Sequence, residues 1–333
     1  MPRRDPGVLS EGSSTFLVGT DATLPHESVM IHVVTDEAMS RDEVLARLSS
    51  LRQHQRSGKR SPHKPLLVLL ALGRLTTTGT STLSWRADAG ELAALIRDFG
   101  PPSTTQPAQA AAYPFTRLRS DGIWTLDHDV PMDRVQPLIA ENVLGQLDSR
   151  LERALRDPGI AAVAARQLVE SEFPSTVAPD VLMAVGLDPD TVLGVTVAPA
   201  PRRHRLSSWP ATILQAWDRQ CAFCGFDGQL GAATVGVEAA HIRWFAFDGP
   251  DTPDNGLALC SLHHKLFDHG VLGLDHDLHI TVSAKFTSRT TTGQTVYQLH
   301  KRPLQPRPGT TPPAATHIAW HTHEVFKGPA LST

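Results

Sequence analysis

The sequence predicts an α+β protein with a helical, winged-helix-like N-terminal part and a C-terminal part stapled by a metal ion. Three observations support this fold class. Apolar residues recur at helical spacing between residues 40 and 100, and Asp121-Gly122 then separates two strand-like runs. Further on, a Cys-x-x-Cys pair at 221–224 is followed by a Cys-x-x-His pair at 260–263. Helices followed by a β-hairpin indicate a winged-helix-like unit, and paired metal ligands indicate a small domain held by zinc.

The helices of the N-terminal part have recognisable starts and stops. Ser40 is predicted to cap the first helix, with Glu43 at the capping-box position. A second helix is predicted over Pro65–Leu75, with proline in its first turn, and a third over Glu91–Phe99, before Gly-Pro-Pro. More helical pattern runs from Met132 to about Gly186.

The length of 333 residues is typical of about two domains. Residues 1–39 are rich in Gly, Ser, Thr and Pro, and we expect a disordered leader there. Residues 40–188 are predicted to form a DNA-recognition domain and 209–333 a second domain. Between them, the proline-rich, basic segment 189–208 is predicted to be a linker.

Charge is distributed unevenly along the chain. The formal net charge is −3, yet the segment from Arg41 to Arg86 contains nine Lys or Arg and only two acidic residues. Such a local excess predicts a phosphate-binding face, although the chain as a whole is not basic. The residues expected to hold the flanking DNA backbone are Arg52, Arg56, Lys59, Arg60 and Arg74.

Membrane and secretory classes are disfavoured by the sequence. No apolar run reaches the roughly 18 residues that a membrane helix needs, and no signal peptide opens the chain. We therefore expect a cytoplasmic protein without a membrane partner, whose thiols are reduced and able to bind metal. The predicted ligands of a structural Zn²⁺ are Cys221, Cys224, Cys260 and His263.

A run of motifs surrounds these ligands. Glu-Ala-Ala-His-Ile at 238–242 is followed by Asp-Asn-Gly at 254–256 and by Leu-His-His-Lys-Leu-Phe-Asp at 262–268. Their order and spacing, over about 50 residues, resemble the HNH endonuclease family. The resemblance implies a ββα-metal fold, in which a β-hairpin and a helix surround one catalytic divalent cation of the Mg²⁺ or Mn²⁺ class.

The resemblance also implies roles for three residues. His241 matches the general base, Asn255 the residue that ties the loop and orients that histidine, and His264 the metal ligand on the helix. Hydrolysis of a phosphodiester needs a base for water and a cation on the phosphate, so these residue types suit the chemistry. His263 and His264 point about 100° apart on a helix, so one can face zinc and the other the active site.

One position departs from the family pattern. Many members carry an acid or a histidine directly before the general base, where this chain has Ala240. Glu238, on the same strand face as Ala240, is the expected substitute ligand. Asp268, four residues after His264, is expected either to hold its imidazole or to approach the cation. His269, His276 and His279 are interpreted as surface residues.

The N-terminal domain resembles a second family. Ser-Pro-His-Lys-Pro-Leu-Leu at 61–67 and Tyr-Pro-Phe-Thr-Arg at 113–117 are similar to motifs of the sulfur-binding domain. That domain precedes HNH modules in McrA-like type IV restriction endonucleases, which recognise phosphorothioated double-stranded DNA. The positions that match its motifs are His63, Lys64, Tyr113 and Pro114, whereas Arg117 stands where small or apolar residues are usual.

The physical case for these residues is a difference in solvation. Sulfur in a phosphorothioate is larger and less hydrated than oxygen, so it gains from an apolar wall such as Tyr113 and Pro114 would form. His63 and Lys64 are then expected to lie against the phosphate or a base edge.

The leading hypothesis is therefore a type IV restriction enzyme that cuts phosphorothioated DNA. The alternatives are an HNH restriction enzyme that reads another modified base or an unmodified site, and a non-catalytic, zinc-stabilised DNA-binding protein. The intact set of His241, Asn255 and His264 disfavours the non-catalytic reading, because binding needs none of them. One HNH site cuts one strand, so a double-strand break requires a homodimer or two binding events.

Overall fold

The computed structural model describes residues 37–51, 60–194, 206, 208–304 and 309–332. The predicted leader up to residue 36, the basic residues Arg52, Arg56 and Lys59, and most of the predicted linker lie outside the described residues. Among the described residues, no helix has the length and apolar composition needed to cross a membrane.

Helices dominate the N-terminal half. The predicted capping box is present: the Ser40 hydroxyl accepts from the Glu43 backbone N–H at 3.3 Å, and the Glu43 carboxylate accepts from the Ser40 N–H at 2.8 Å. The helices are α1 (Arg41–Ser50), α2 (His63–Thr78), α3 (Trp85–Phe99), α4 (Pro107–Arg117), α5 (Val135–Ala140), α6 (Ser149–Leu155), α7 (Pro158–Glu172), α8 (Ala178–Ala184) and α9 (Pro189–Gly194).

Helix α2 is the centre of this half. It is buried on nearly every face from Pro65 to Leu72, and it ends at Gly79, whose φ of 81° suits glycine. Gly73 lets the chain after α8 approach closely, because a Cβ there would lie 1.8 Å from the Val185 carbonyl oxygen. The prediction of a helix at Pro65–Leu75 is confirmed, and the helix extends further at both ends.

A small antiparallel sheet completes the N-terminal half, with strands β1 (Leu83–Ser84), β2 (Trp124–Leu126) and β3 (Leu144–Leu147) in the order β1-β3-β2. The predicted hairpin at Asp121-Gly122 is wrong. Residues before it form α4 and a 3₁₀ turn, and Gly122, with φ 68°, ends that turn. The α+β class is confirmed, but the winged-helix detail is not, because its first expected strand is helical.

The C-terminal half is built on an antiparallel strand pair followed by a helix. In this pair Val237 is opposite Cys260 and His241 is opposite Gly256, and the following helix begins directly after Cys260. The elements are α10 (Trp209–Ala216), β4 (Gln229–Leu230), β5 (Ala233–Thr234), β6 (Val237–His241), β7 (Gly256–Cys260), α11 (Ser261–Asp268), β8 (Leu272–Leu274), β9 (Ile280–Val282), α12 (Thr291–Gln294) and α13 (Ala315–Glu324).

The two halves share a junction. Trp244, Phe247, Trp320 and Val325 from the C-terminal half pack into the hydrophobic core of the N-terminal half. Lys327 also crosses the junction: its Nζ donates to the carbonyl oxygens of Arg97 at 3.3 Å and Gly100 at 2.5 Å, at the C-terminal end of α3. Burial lowers the pKa of Lys327 to about 7.

Candidate active site and metal centre

The four predicted zinc ligands converge. The Sγ atoms of Cys221, Cys224 and Cys260 and a ring nitrogen of His263 all lie within 4.8 Å of one another. Nδ1 of His263 is 3.4 Å from Sγ of Cys221 and 3.3 Å from Sγ of Cys260. Sulfur atoms about 2.3 Å from one tetrahedral Zn²⁺ lie just under 4 Å apart, so the cluster has the size and donor set of a structural zinc site.

The close approach of these donors also shifts their pKa values. Hydrogen bonds from the thiols of Cys224 and Cys260 hold the pKa of Cys221 far below its usual range. Burial lowers the pKa of His263, but hydrogen bonds with Cys221 and Cys224 outweigh burial and raise it to about 9. Close approach of the donors thus stabilises a thiolate, which is the form of cysteine that binds Zn²⁺.

His241 lies at the end of β6, where its imidazole has two well-defined neighbours. Nε2 is 2.8 Å from Oδ1 of Asp251, and the side chains are 9% and 6% exposed. The ring stacks on Trp209 of α10, with 3.8 Å between centroids and 15° between planes. The Oδ2 atom of Asp251 accepts from the backbone N–H of Leu206 at 2.7 Å. The imidazole is therefore fixed in position by a carboxylate and by an aromatic face.

Asn255 ties the loop that follows β6, as expected. It is fully buried, and its Oδ1 accepts from the Arg243 N–H at 2.8 Å while Nδ2 donates to the carbonyls of Arg243 and Pro250, each at 3.0 Å. These bonds fold residues 242–255 back on themselves, and Asp251 belongs to this loop. Asn255 thus positions the segment that carries the carboxylate partner of His241.

The imidazole of His264 lies between two carboxylate side chains. Its Nδ1 is 2.8 Å from Oε2 of Glu238 on β6, and its Nε2 is 3.3 Å from Oδ2 of Asp268, one turn later on α11. Burial lowers the pKa of His264, but these two carboxylates outweigh burial and raise it to about 9. Burial alone would raise the pKa of Asp268, but hydrogen bonds with His264 and Thr176 lower it.

Glu238 and His264 are the residues that could hold a divalent cation of the Mg²⁺ or Mn²⁺ class. Two neighbouring ligands of an octahedral Mg²⁺, each about 2.1 Å from the ion, lie about 3 Å apart. The 2.8 Å between Nδ1 of His264 and Oε2 of Glu238 matches that spacing. Asp268 is buried, its Oδ1 also accepts from Nε1 of Trp244 at 3.0 Å, and its Oδ2 lies beside the imidazole of His264.

The residues predicted to bind DNA fall into different environments. Lys64, near the start of α2, forms an ion pair with Asp121, and Arg74 forms ion pairs with Asp88 at 2.8 Å and Glu91 at 3.3 Å. Burial, with the nearby charges of Arg60 and Arg117, lowers the pKa of His63 to about 4. His63 is therefore neutral at pH 7.

Tyr113 and Pro114 lie inside α4 rather than at a corner between strands. Tyr113 is half-buried, and the guanidinium of Arg117 lies 4.8 Å from its ring centroid. Arg117 in turn donates to both carboxylate oxygens of Asp133, at 2.7 and 2.6 Å. Pro114 is buried, so the surface available around this motif consists of Tyr113 and Arg117 rather than of Pro114.

Arg60 is placed differently from the prediction. It is only 5% exposed, its backbone N–H donates to Oε2 of Glu324 at 2.8 Å, and its Nη atoms donate to the carbonyls of Glu324 and Phe99 at 2.7 and 2.6 Å. Its guanidinium also lies 4.2 Å from the ring centroid of Trp244. Arg60 is thus an internal residue of the junction and does not face a DNA backbone here.

Sequence reasoning missed Asp251, Trp209 and Thr176. An aspartate in a loop ten residues after a histidine carries no specific signal, and neither does a tryptophan at a helix start. His269, interpreted as a surface residue, is half-buried: its Nε2 is 2.8 Å from Oδ2 of Asp180 on α8. His276, by contrast, has a side chain that is 87% exposed, as expected.

Two family models match separate parts of this chain. Residues 41–190 match the model described as the ScoMcrA-like DNA sulfur-binding domain. Residues 221–275 match the model of an HNH endonuclease, and this segment contains the four clustered zinc ligands together with His241, Asn255 and His264.

Solved structures give partial likenesses. The sulfur-binding domain of ScoMcrA in complex with phosphorothioated DNA is 22% identical, and the match covers 44% of this chain and 97% of that one, with a TM-score of 0.38. The type IV phosphorothioation-dependent restriction endonuclease ScoMcrA is 19% identical, with 57% of this chain and 38% of that one covered and a TM-score of 0.37. The modification-dependent TagI restriction endonuclease is 23% identical, with coverages of 42% and 41% and a TM-score of 0.29.

The chain thus matches less than half the length of those two restriction endonucleases. A comparison with curated proteins found no match. The domain assignment rests on the family models and on the clustered residues that they contain. This chain joins a ScoMcrA-like DNA sulfur-binding domain at residues 41–190 to an HNH endonuclease domain at residues 221–275.

Proposed function

We propose that this protein is a type IV restriction endonuclease that binds phosphorothioated double-stranded DNA and hydrolyses a phosphodiester bond nearby. The observation that carries the proposal is the presence of both domains in one chain, with the HNH residues assembled around His241 and His264. A recognition domain alone would need neither the His241–Asp251 pair nor the Glu238–His264 pair.

His241 serves as the general base in this proposal. Because Nε2 donates its proton to Asp251, the neutral imidazole carries its acceptor lone pair on Nδ1, which takes the proton of the attacking water. Asp251 then stabilises the imidazolium that forms, as a buried carboxylate does in other His-Asp pairs. Trp209 prevents the ring from rotating during proton transfer.

Glu238 and His264 would hold the catalytic cation, with Asp268 fixing the second nitrogen of His264. The bound cation supplies positive charge at the scissile phosphate and at the leaving oxygen. Zn²⁺ at Cys221, Cys224, Cys260 and His263 has a separate, structural role, because this set provides four protein ligands and therefore a closed site.

Sulfur recognition is proposed at the N-terminal end of α2 and the adjoining face of α4. Neutral His63 and the Tyr113 ring offer weakly polar surface to sulfur, and Arg117 offers a cation to the remaining phosphate oxygen once its ion pair with Asp133 opens. Lys64 contributes to phosphate binding only after its ion pair with Asp121 opens. Arg52, Arg56 and Lys59 are proposed to hold the flanking backbone.

The test uses duplexes that differ only in one backbone sulfur, prepared as separate diastereomers. One diastereomer is expected to bind roughly 30- to 1,000-fold more tightly than plain DNA, since the avoided desolvation and added burial correspond to about 2–4 kcal/mol. Tyr113→Ala should reduce this preference more than it reduces affinity for plain DNA. Phe226→Ala, at a half-exposed aromatic residue in the other domain, is the control.

Cleavage is measured on the same duplexes with Mg²⁺ or Mn²⁺. Cleavage confined to the sulfur-containing duplex supports the whole proposal. Equal binding and cleavage of both duplexes would instead favour an HNH enzyme with another specificity. Sulfur-dependent binding without strand cleavage would identify a non-catalytic reader. Counting cut strands at increasing protein concentration tests whether a homodimer acts.

A further inference from the structure

One face of α11, the helix that carries His264, contacts the sulfur-binding domain. Lys265, Asp268 and His269 lie on this face, since residues three and four apart on a helix are neighbours. Lys265 is 3.0 Å from Asp180 of α8, and Nε2 of His269 is 2.8 Å from the same carboxylate. The third residue, Asp268, accepts a hydrogen bond from the Thr176 hydroxyl, just before α8.

The carboxylate of Asp268 links Thr176 to His264. Oδ2 of Asp268 accepts from the Thr176 hydroxyl and also lies 3.3 Å from Nε2 of His264. The other oxygen, Oδ1, accepts from Nε1 of Trp244 at 3.0 Å. Asp268 is 3% exposed, so these partners are what compensates its charge.

Arg60 supports the same carboxylate from a second direction. Its guanidinium lies over the Trp244 ring, 4.2 Å from the centroid, and its backbone and side chain are bound to Glu324 of α13. Trp244 thus contacts Arg60 through the face of its ring and Asp268 through Nε1. Two residues of the N-terminal half therefore contact Asp268, Thr176 directly and Arg60 through Trp244.

We infer that the sulfur-binding domain completes the nuclease centre, and that Thr176 is a positioning residue for His264, acting through Asp268. This inference rests on the proposed function, because it assigns a role to His264 in cleavage. A carboxylate that has lost one of its hydrogen-bond donors is free to rotate, and the imidazole that it holds then loses its fixed direction toward the cation. Losing such an outer partner typically costs on the order of 10- to 100-fold in activity or metal affinity.

Thr176→Val removes the hydroxyl with almost no change in shape, and Thr176→Ser restores it. The matched control is Thr191→Val, because the Thr191 hydroxyl also donates to an aspartate, Asp188, but on α9 at an exposed position away from α11. Each full-length, zinc-loaded variant is assayed for binding to the phosphorothioate duplex, for cleavage rate at saturating DNA, and for the Mn²⁺ concentration that gives half-maximal rate. Amide hydrogen exchange of residues 262–268 provides a readout that does not depend on cleavage.

The expected result is a cleavage rate lowered roughly 10- to 100-fold by Thr176→Val, with duplex affinity unchanged, a higher Mn²⁺ requirement and faster amide exchange in α11. Thr176→Ser should recover most of the rate, and Thr191→Val should behave like the parent protein. A Thr176→Val rate within two-fold of Thr191→Val would overturn the inference, as would a loss that extends to duplex binding or that serine fails to rescue. If the parent protein itself does not cut DNA, the proposed function fails. Unchanged amide exchange of residues 262–268 in Thr176→Val would separately refute the positioning role of Thr176.

Discussion

His241 lies between a carboxylate and an aromatic ring, and these neighbours act on its imidazole in different ways. Asp251 fixes which nitrogen carries the proton, whereas Trp209 fixes the plane of the ring. A histidine that only filled space in the core would not need a buried acid, because an uncompensated carboxylate is costly to bury. The pair therefore has the arrangement expected of a proton acceptor.

We expect His241→Ala to abolish strand cleavage while leaving affinity for the duplex within about two-fold, since the imidazole accepts a proton but is not part of the recognition domain. Loss of a general base typically lowers the rate by about 10²- to 10⁴-fold. Asp251→Asn should fall between this variant and the parent. The control is His276→Ala, whose side chain is exposed. Near-parental nicking by His241→Ala, measured on plasmid with Mn²⁺, would remove His241 from the mechanism.

For single residues, the sequence predicted the positions of those that belong to a local motif. It misplaced residues whose environment depends on distant parts of the chain. The positions of His241 at a strand end, Asn255 in the loop and His264 on a helix could be predicted because motif order and spacing are local. Arg60 could not be placed correctly, because its partner Glu324 is 264 residues away in sequence. The sequence of the basic run that ends at Arg60 is the same whether Arg60 is solvated or buried.

Among the elements, the candidate zinc cluster joins the turn after α10 to the end of β7 and the start of α11. Cys221 and Cys224 lie in the turn after α10, Cys260 ends β7, and His263 lies in the first turn of α11. Since α11 also carries His264, a metal bound at this cluster would fix the start of the same helix. A bound metal would thus contribute to folding and, through α11, to the site.

Cys221→Ser should lower the free energy of unfolding by more than about 4 kcal/mol, the range expected when a structural metal is lost. The purified parent protein should contain one zinc per chain by elemental analysis. A strong chelator should destabilise the parent in thermal unfolding but leave the Cys221→Ser variant unchanged, which provides the internal control. Folded, active protein without zinc would contradict the assignment.

Local signals predicted the elements well where capping determines them and poorly where tertiary packing does. The capping box at Ser40 and Glu43 gave the start of α1 correctly. Pro114, however, lies inside α4, although proline usually interrupts a helix, and Gly122 ends a 3₁₀ turn instead of forming a hairpin. Burial of Phe115 between Trp85 and Trp124 favours the helix there, and no short window of sequence contains those contacts.

For the whole molecule, a buried histidine predicts how stability depends on pH. His321 is 1% exposed, stacks on Phe267 and is close enough to bond with its carbonyl, and burial lowers its pKa to about 4. Between pH 6.5 and 4 the unfolded chain binds a proton that the folded protein does not. The free energy of unfolding therefore falls as the pH is lowered through this window, by about 3 kcal/mol from this group.

His321→Gln should remove that part of the pH dependence. The measurement is the difference in unfolding free energy between variant and parent at several pH values, because zinc release at low pH then affects both proteins and largely cancels. His276→Gln, at an exposed site, should keep the slope of the parent. A difference that does not change between pH 6.5 and 4 would mean that His321 titrates normally in the folded protein.

The whole chain should also bind DNA in a strongly salt-dependent manner, despite its net charge of −3. Each phosphate contact made by a basic residue contributes about −0.9 to the slope of log affinity against log salt. Arg56→Glu or Lys59→Glu should weaken binding to sulfur-containing and plain duplexes alike and should make the slope shallower. Lys301→Glu, beside Asp275 in the C-terminal half, is the control. A salt-independent affinity would place the basic segment away from DNA.

The side-chain amine of Lys327, which donates to the carbonyl oxygens of Arg97 and Gly100, has a consequence for protein engineering. Grafting residues 209–333 onto a different DNA-binding domain would leave this amine without its two carbonyl partners. A working chimera would also need the surface that the C-terminal half contacts, namely the end of α3 and the start of α8. We therefore expect a new specificity to be easier to obtain by redesigning α2 and α4 in place than by exchanging domains.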